Sequence, residues 1–135
     1  MKTLLRILPL ILLVILATSC KKDEPSASGS LLGTWKFTSQ SLSGCTDPGN
    51  NGTDVCTTGC GTLTITATTW TFADPIPSNS GNGTYTTSGN SITITVTSGS
   101  GPAGTYTYAI AGSVLTLSDT NYGGGCTGHL NFTRI

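Results

Sequence analysis

The sequence predicts an all-β domain, an antiparallel up-and-down meander of seven to eight strands stapled by disulfides. Composition is the first reason: 24 of the 105 residues from Leu31 onward are threonine, and the chain holds 18 glycines. β-Branched threonine suits the solvated face of a sheet, while glycine supplies the turns that need positive φ. The second reason is periodicity, because behind the N-terminal segment every apolar run repeats at two residues and none carries a sustained 3.6-residue stripe. At 135 residues there is room for a single domain.

Along the chain, "TWKFTSQSLS" alternates at Trp35 and Phe37. "GTLTITATTWTF" alternates at Leu63, Ile65 and Ala67, then changes parity to Trp70 and Phe72, the slip expected of a β-bulge inside one strand. Further runs place Tyr85, then Ile92, Ile94 and Val96, then Tyr106, Tyr108 and Ile110, then Leu115 and Leu117, then Leu130 and Phe132 on one face each. Asn82-Gly83, Ser88-Gly89-Asn90 and Ala111-Gly112 are expected to turn hairpins between neighbours. Closing such a meander into a barrel removes its exposed edges, with a two-sheet sandwich as the competing arrangement.

Parity favours the barrel. Arg134 shares the face of Leu130 and Phe132, so it points inward in the last strand and needs a partner. The Trp35 ring in the first strand is a suitable one, worth about 0.5 to 2 kcal/mol, and first and last strands are neighbours when a meander closes.

Ahead of this domain, Lys2 and Arg6 precede an apolar run of eleven residues, Ile7–Ala17, and then the small residues Thr18 and Ser19 before Cys20. That is the pattern of a secretory signal over residues 1–19, too short to span a bilayer, which takes roughly 20 apolar residues. Residues 20–30, "CKKDEPSASGS", read as a polar tether. The junction resembles the lipobox of bacterial lipoproteins, which implies that Cys20 is acylated and anchors the domain, residues 31–135, to a membrane. "CKKDE" also resembles the surface-export signals of Bacteroidetes-type lipoproteins, which implies the extracellular face of the outer membrane.

Cys45, Cys56, Cys60 and Cys126 form an even set behind Cys20 and are expected to make two disulfides. A meander that closes antiparallel needs an even strand count, and if the extra strand lies after Cys60, Cys126 falls at the same end as the 45–60 loop. Cys126 is therefore expected to bond one of those three, with the other two closing a local ring.

The chemistry-bearing residues are few. His129 stands alone and outward, and Asp47, Asp54, Asp74 and Asp119 each sit in turn-like sequence. No nucleophile has a base in prospect and no carboxylate pair flanks a cleft, so no enzymatic activity, metal or cofactor is expected. Asp47, Asn50, Asn51 and Asp54 faintly echo a calcium loop but read as turn chemistry. Behind Cys20 the acids outnumber Lys21, Lys22, Lys36 and Arg134, which argues against nucleic acid as a partner.

Gly33-Thr34-Trp35 together with Arg134 resembles the lipocalin family, whose first strand carries G-x-W and whose last strand carries an arginine packed across that tryptophan. The resemblance implies a small barrel, expected to act as a monomer, that holds a hydrophobic ligand. Its lining is expected to come from Phe37, Ile65, Trp70, Phe72, Tyr85, Ile94, Tyr106, Tyr108 and Phe132. The alternative is an envelope scaffold or interaction module with a filled core, meeting protein or glycan through the loops at 44–60 and 73–83.

Overall fold

The structure, a computed structural model, describes residues 29–123 and 125–135. Cys20, the leader and most of the tether lie outside these residues. Among the described residues nine strands form one sheet: β1 (Gly33–Ser43), β2 (Gly52–Val55), β3 (Thr62–Ile65), β4 (Thr69–Ala73), β5 (Gly81–Ser88), β6 (Ser91–Gly99), β7 (Gly104–Ala111), β8 (Val114–Tyr122) and β9 (Cys126–Arg134). Each neighbour pairing is antiparallel, and β1 pairs with β9 as well as with β3. Eight strands, β1 and β3 to β9, thus close into a barrel, while β2 lies outside the ring against the upper half of β1.

The closing seam is long. β1 and β9 run in register from Trp35↔Arg134 to Ser43↔Thr127, with one bulge between Phe37 and Ser39. The Thr38 hydroxyl donates to the Asn131 carbonyl at 2.9 Å across this irregularity. The bulge shifts the inward set of β1 from Trp35 and Phe37 to Gln40 and Leu42, which face Leu130 and Gly128.

One end of the barrel, the floor, collects the chain entry, the 66–68, 89–90 and 112–113 turns and the C-terminus. Trp35 seals it, with no exposed surface, and its indole N–H donates to the Leu31 carbonyl at 3.0 Å. Burying a tryptophan removes roughly 150–250 Å² from water, about 4 to 6 kcal/mol of transfer free energy. The Arg134 guanidinium lies 4.1 Å from the Trp35 ring centroid and donates to the carbonyls of Leu32, at 2.9 Å, and Ser30. Gly33 is required beneath it: its φ is 138°, and a Cβ there would stand 2.7 Å from the arginine Nη1. Gly29 and Ser30, which belong to the tether by sequence, are held here too, Gly29 against Ile110.

Three local readings are corrected. The parity change in "GTLTITATTWTF" is a hairpin and not a bulge: Ile65 pairs with Trp70, and Thr66 caps the turn by accepting the Thr69 amide at 3.1 Å. A hydroxyl-capped turn carries no Gly or Pro signal. Asn82-Gly83 is no turn but lies within β5, where Gly83 lets the Trp70 indole approach; a Cβ would meet its Nε1 at 2.9 Å and the Thr95 carbonyl at 1.8 Å. By contrast Gly89 and Gly112, with φ of 59° and 60°, occupy the first central position of two-residue hairpin loops. The third correction is β2, an exposed strand within the cysteine loop whose polar "GTDV" gives no alternation to read.

A disulfide fastens the opposite end, where Cys45 bonds Cys126 and joins the loop after β1 to the start of β9, while Cys56 bonds Cys60 in the bend between β2 and β3, beside Phe37 and Thr38 in the middle of β1. Their sequence separations are 81 and 4 residues. Loop-closure entropy then gives about 4.5 kcal/mol for the first and about 2 kcal/mol for the second. Paired Cys→Ala replacements followed by urea unfolding are expected to show Cys45–Cys126 the costlier loss by about 2.5 kcal/mol; equal losses would contradict the assignment of the first bond as the long-range staple.

Candidate functional site

The inward faces of the strands surround a cavity of about 630 Å³. Its lower wall is aliphatic and aromatic: Ile65 from β3, Trp70 from β4, Ile92 and Ile94 from β6, Leu117 from β8 and Phe132 from β9. Phe37 and Phe132 meet edge to face, with centroids 5.5 Å apart and ring planes at 66°. Trp35 is absent from the lining, so the floor seal and the cavity are separate layers of one core.

At the other end the lining becomes polar. Gln40, Asp74, Asn79 and Tyr122 reach it there, together with Gly101 and Pro102 of the β6–β7 loop. Every one of these lies at the strand ends or loops opposite the floor, so this end is the mouth. The Gln40 amide donates to the Tyr122 hydroxyl at 3.4 Å. The loop packs closely, since a Cβ on Gly101 would fall 2.3 Å from the Trp70 ring. Asp74 follows β4: its Oδ1 accepts the Ile76 amide at 2.8 Å and its own amide donates to Ser80 Oγ at 2.8 Å, which fixes the short Pro77–Asn79 turn.

The Tyr106 hydroxyl titrates above the ordinary tyrosine range because burial disfavours the phenolate, with the charges of Asp119 and Tyr122 adding to the effect. Tyr85 is shifted the same way, again first by burial and then by Tyr108. Both phenols are therefore neutral hydrogen-bonding groups at physiological pH. That of Tyr85 donates to the Thr66 carbonyl at 2.6 Å.

Of the nine residues that the sequence reading assigned to a lining, eight surround the cavity: Phe37, Ile65, Trp70, Phe72, Tyr85, Ile94, Tyr106 and Phe132. Tyr108 is the correction. β6 starts opposite Thr107, so Tyr108 stands one residue beyond its end, and its hydroxyl donates to the Gly89 carbonyl at 3.2 Å in the adjoining turn. It borders instead a smaller depression at the floor with Leu31, Leu32 and Tyr85. Leu63, Ile92, Leu117 and Leu130 also line the cavity, from positions that the period-two pattern places inward. Gln40 gave no signal, because the Thr38 bulge that turns it inward is invisible in polar sequence.

In the loop that echoes a calcium site, Asp47 Oδ1 accepts the Gly49 amide at 3.0 Å and Asn51 Oδ1 accepts the Cys45 amide at 3.1 Å, so two of its oxygens are held in its own turns. His129 faces outward and its Nδ1 lies 2.8 Å from Ser118 Oγ. Among the described residues no group of three or more His, Cys, Asp or Glu side chains is arranged to hold a metal ion.

Fold and site together define a class: a small closed antiparallel barrel, sealed at one end and hollow toward the other. Compared with family models, with curated proteins and with solved structures, the chain finds no match.

Proposed function

We propose that this protein is a membrane-anchored, surface-exposed lipoprotein whose lipocalin-like barrel binds a small apolar ligand. The observation that carries the reading is the cavity, whose volume of about 630 Å³ lies within the range of ligand sites, roughly 300–1,000 Å³, with apolar walls and a few polar groups at one end. A filled core, on which the scaffold alternative depends, accords poorly with such a void. Small barrels are commonly packed solid by their own side chains, so a hollow of this size argues for an occupant.

Titration of the mature domain with the uncharged dye N-phenyl-1-naphthylamine is expected to give saturable one-to-one fluorescence enhancement. Leu130→Trp, which places a large ring in the lining, is expected to weaken it by about tenfold or more, as one or two kcal/mol of lost cavity contact would. Circular dichroism of the variant would establish that it still folds. Absence of saturation in the wild-type domain would overturn the carrier reading.

Anchoring rests on the junction at Cys20 and on where the chain enters the barrel. Residues 29–32 lie at the floor, so a lipid on Cys20 would hold the domain by its sealed end and leave the mouth turned outward. Two or more acyl chains, at about 0.8 kcal/mol per buried methylene, make such attachment stable. Cys20→Ser is expected to move the protein from the membrane fraction to the soluble fraction without changing its dye binding. A variant that stayed with the membrane would contradict the anchor.

A further inference from the structure

The charge pattern around the cavity narrows the class of ligand, given the apolar-carrier reading on which this inference rests. Among the described residues Asp74 is the one charged side chain in the lining. Its Oδ1 accepts the Ile76 amide, which leaves the second oxygen for a donor from within the mouth. Asp54 stands directly opposite Gln40 in register, so both side chains emerge on the same face at that end. Asp119 pairs with Gly128, as does inward Leu42, which puts it on the inner face beside the mouth as well. Asp47 lies in the loop above.

The two described cations are elsewhere. Arg134 is committed beneath Trp35 to the carbonyls of Leu32 and Ser30. Lys36 is exposed near the floor, one residue beyond Trp35 and hence on the outer face. Among the described residues an anionic head entering this mouth would meet carboxylates and no cationic partner. A low-dielectric cleft bordered by charges of one sign focuses their field on whatever enters.

We propose that the cavity takes an amphiphile whose polar end is a protonated amine, with its apolar body among Ile65, Ile94 and Phe132 and its ammonium group at Asp74. The carboxylate supplies the counter-charge, and the amides of Gln40 and Asn79 offer further acceptors at the rim. A fatty-acid carboxylate of equal length would occupy the same walls and leave its head beside like charge, so the mouth selects by repulsion as well as attraction.

Displacement of N-phenyl-1-naphthylamine by dodecylamine, dodecanol and dodecanoate tests this at pH 7.5 and low ionic strength, with each kept below its micellar concentration. Dodecylamine is expected to compete about tenfold better than dodecanoate, the effect of one charge-assisted hydrogen bond in a half-buried setting, with dodecanol between them. Asp74→Asn is expected to remove most of that ratio, as is addition of 1 M salt. Equal competition by all three compounds would overturn the head-group inference and leave the apolar carrier standing, and tighter binding of dodecanoate would overturn it outright. Failure of every compound to displace a dye that itself binds saturably would overturn the head-group inference, whereas failure of the dye to bind would overturn the carrier reading. Amine binding that persisted in Leu130→Trp would place the amine on the acidic surface and also contradict the inference.

Discussion

Everything else in this fold depends on one closure, the pairing of β1 with β9 and the stacking of Arg134 on Trp35 at its lower end. A meander has two free edges, each a row of unsatisfied amides and carbonyls. Joining them satisfies those groups and turns a sheet into a container. The seam needs a seal, and a tryptophan without exposed surface, bonded through its indole N–H to Leu31, provides one. The arginine that would be costly as a buried lone charge is covered by an aromatic face on one side and by chain-entry carbonyls on the other. The first and last residues of the domain are thus held by the same contacts that close it.

Closure at the floor also decides where variation can sit. The loops after β1, β4, β6 and β8 gather at the opposite end, and there the Cys45–Cys126 bond fastens the loop after β1 to the strand that completes the ring. The two ends are held by different means, aromatic packing below and a covalent bond above. Between them the walls need not meet. The four aspartates of the described residues accumulate on the open side, so geometry and charge give the barrel a direction, and the proposed anchor would present that direction away from the membrane.

Much of this was legible in the chain. Period-two runs predict an antiparallel meander, and an arginine of inward parity in the last strand, with Trp35 in the first, favours its closure into a barrel over a sandwich, because each is a statement about which face a side chain occupies. The illegible parts fail for identifiable reasons. The Thr66–Thr69 hairpin uses hydroxyl capping in place of Gly or Pro, so a turn and a bulge leave the same parity slip. Gly83 signals a turn by composition but serves as a gap for the Trp70 indole. The Thr38 bulge lies in a run of Ser, Gln and Thr with no apolar marker to betray the change of face, which hid Gln40 and with it part of the mouth. The cavity itself was out of reach, because void volume is the difference between the barrel cross-section and the side chains that fill it, and the same apolar list describes a full core or a hollow one.

The two tryptophans offer the most direct test of a barrel sealed below and hollow above, since Trp70 lines the cavity while Trp35 belongs to the floor. Fluorescence quenching by 12-bromododecanol can be measured separately in Trp35→Phe, which retains only Trp70, and in Trp70→Phe, which retains only Trp35. Strong saturable quenching of Trp70 with Trp35 left nearly unaffected is the result that the proposed carrier predicts. Equal quenching of both, or of neither, would contradict it.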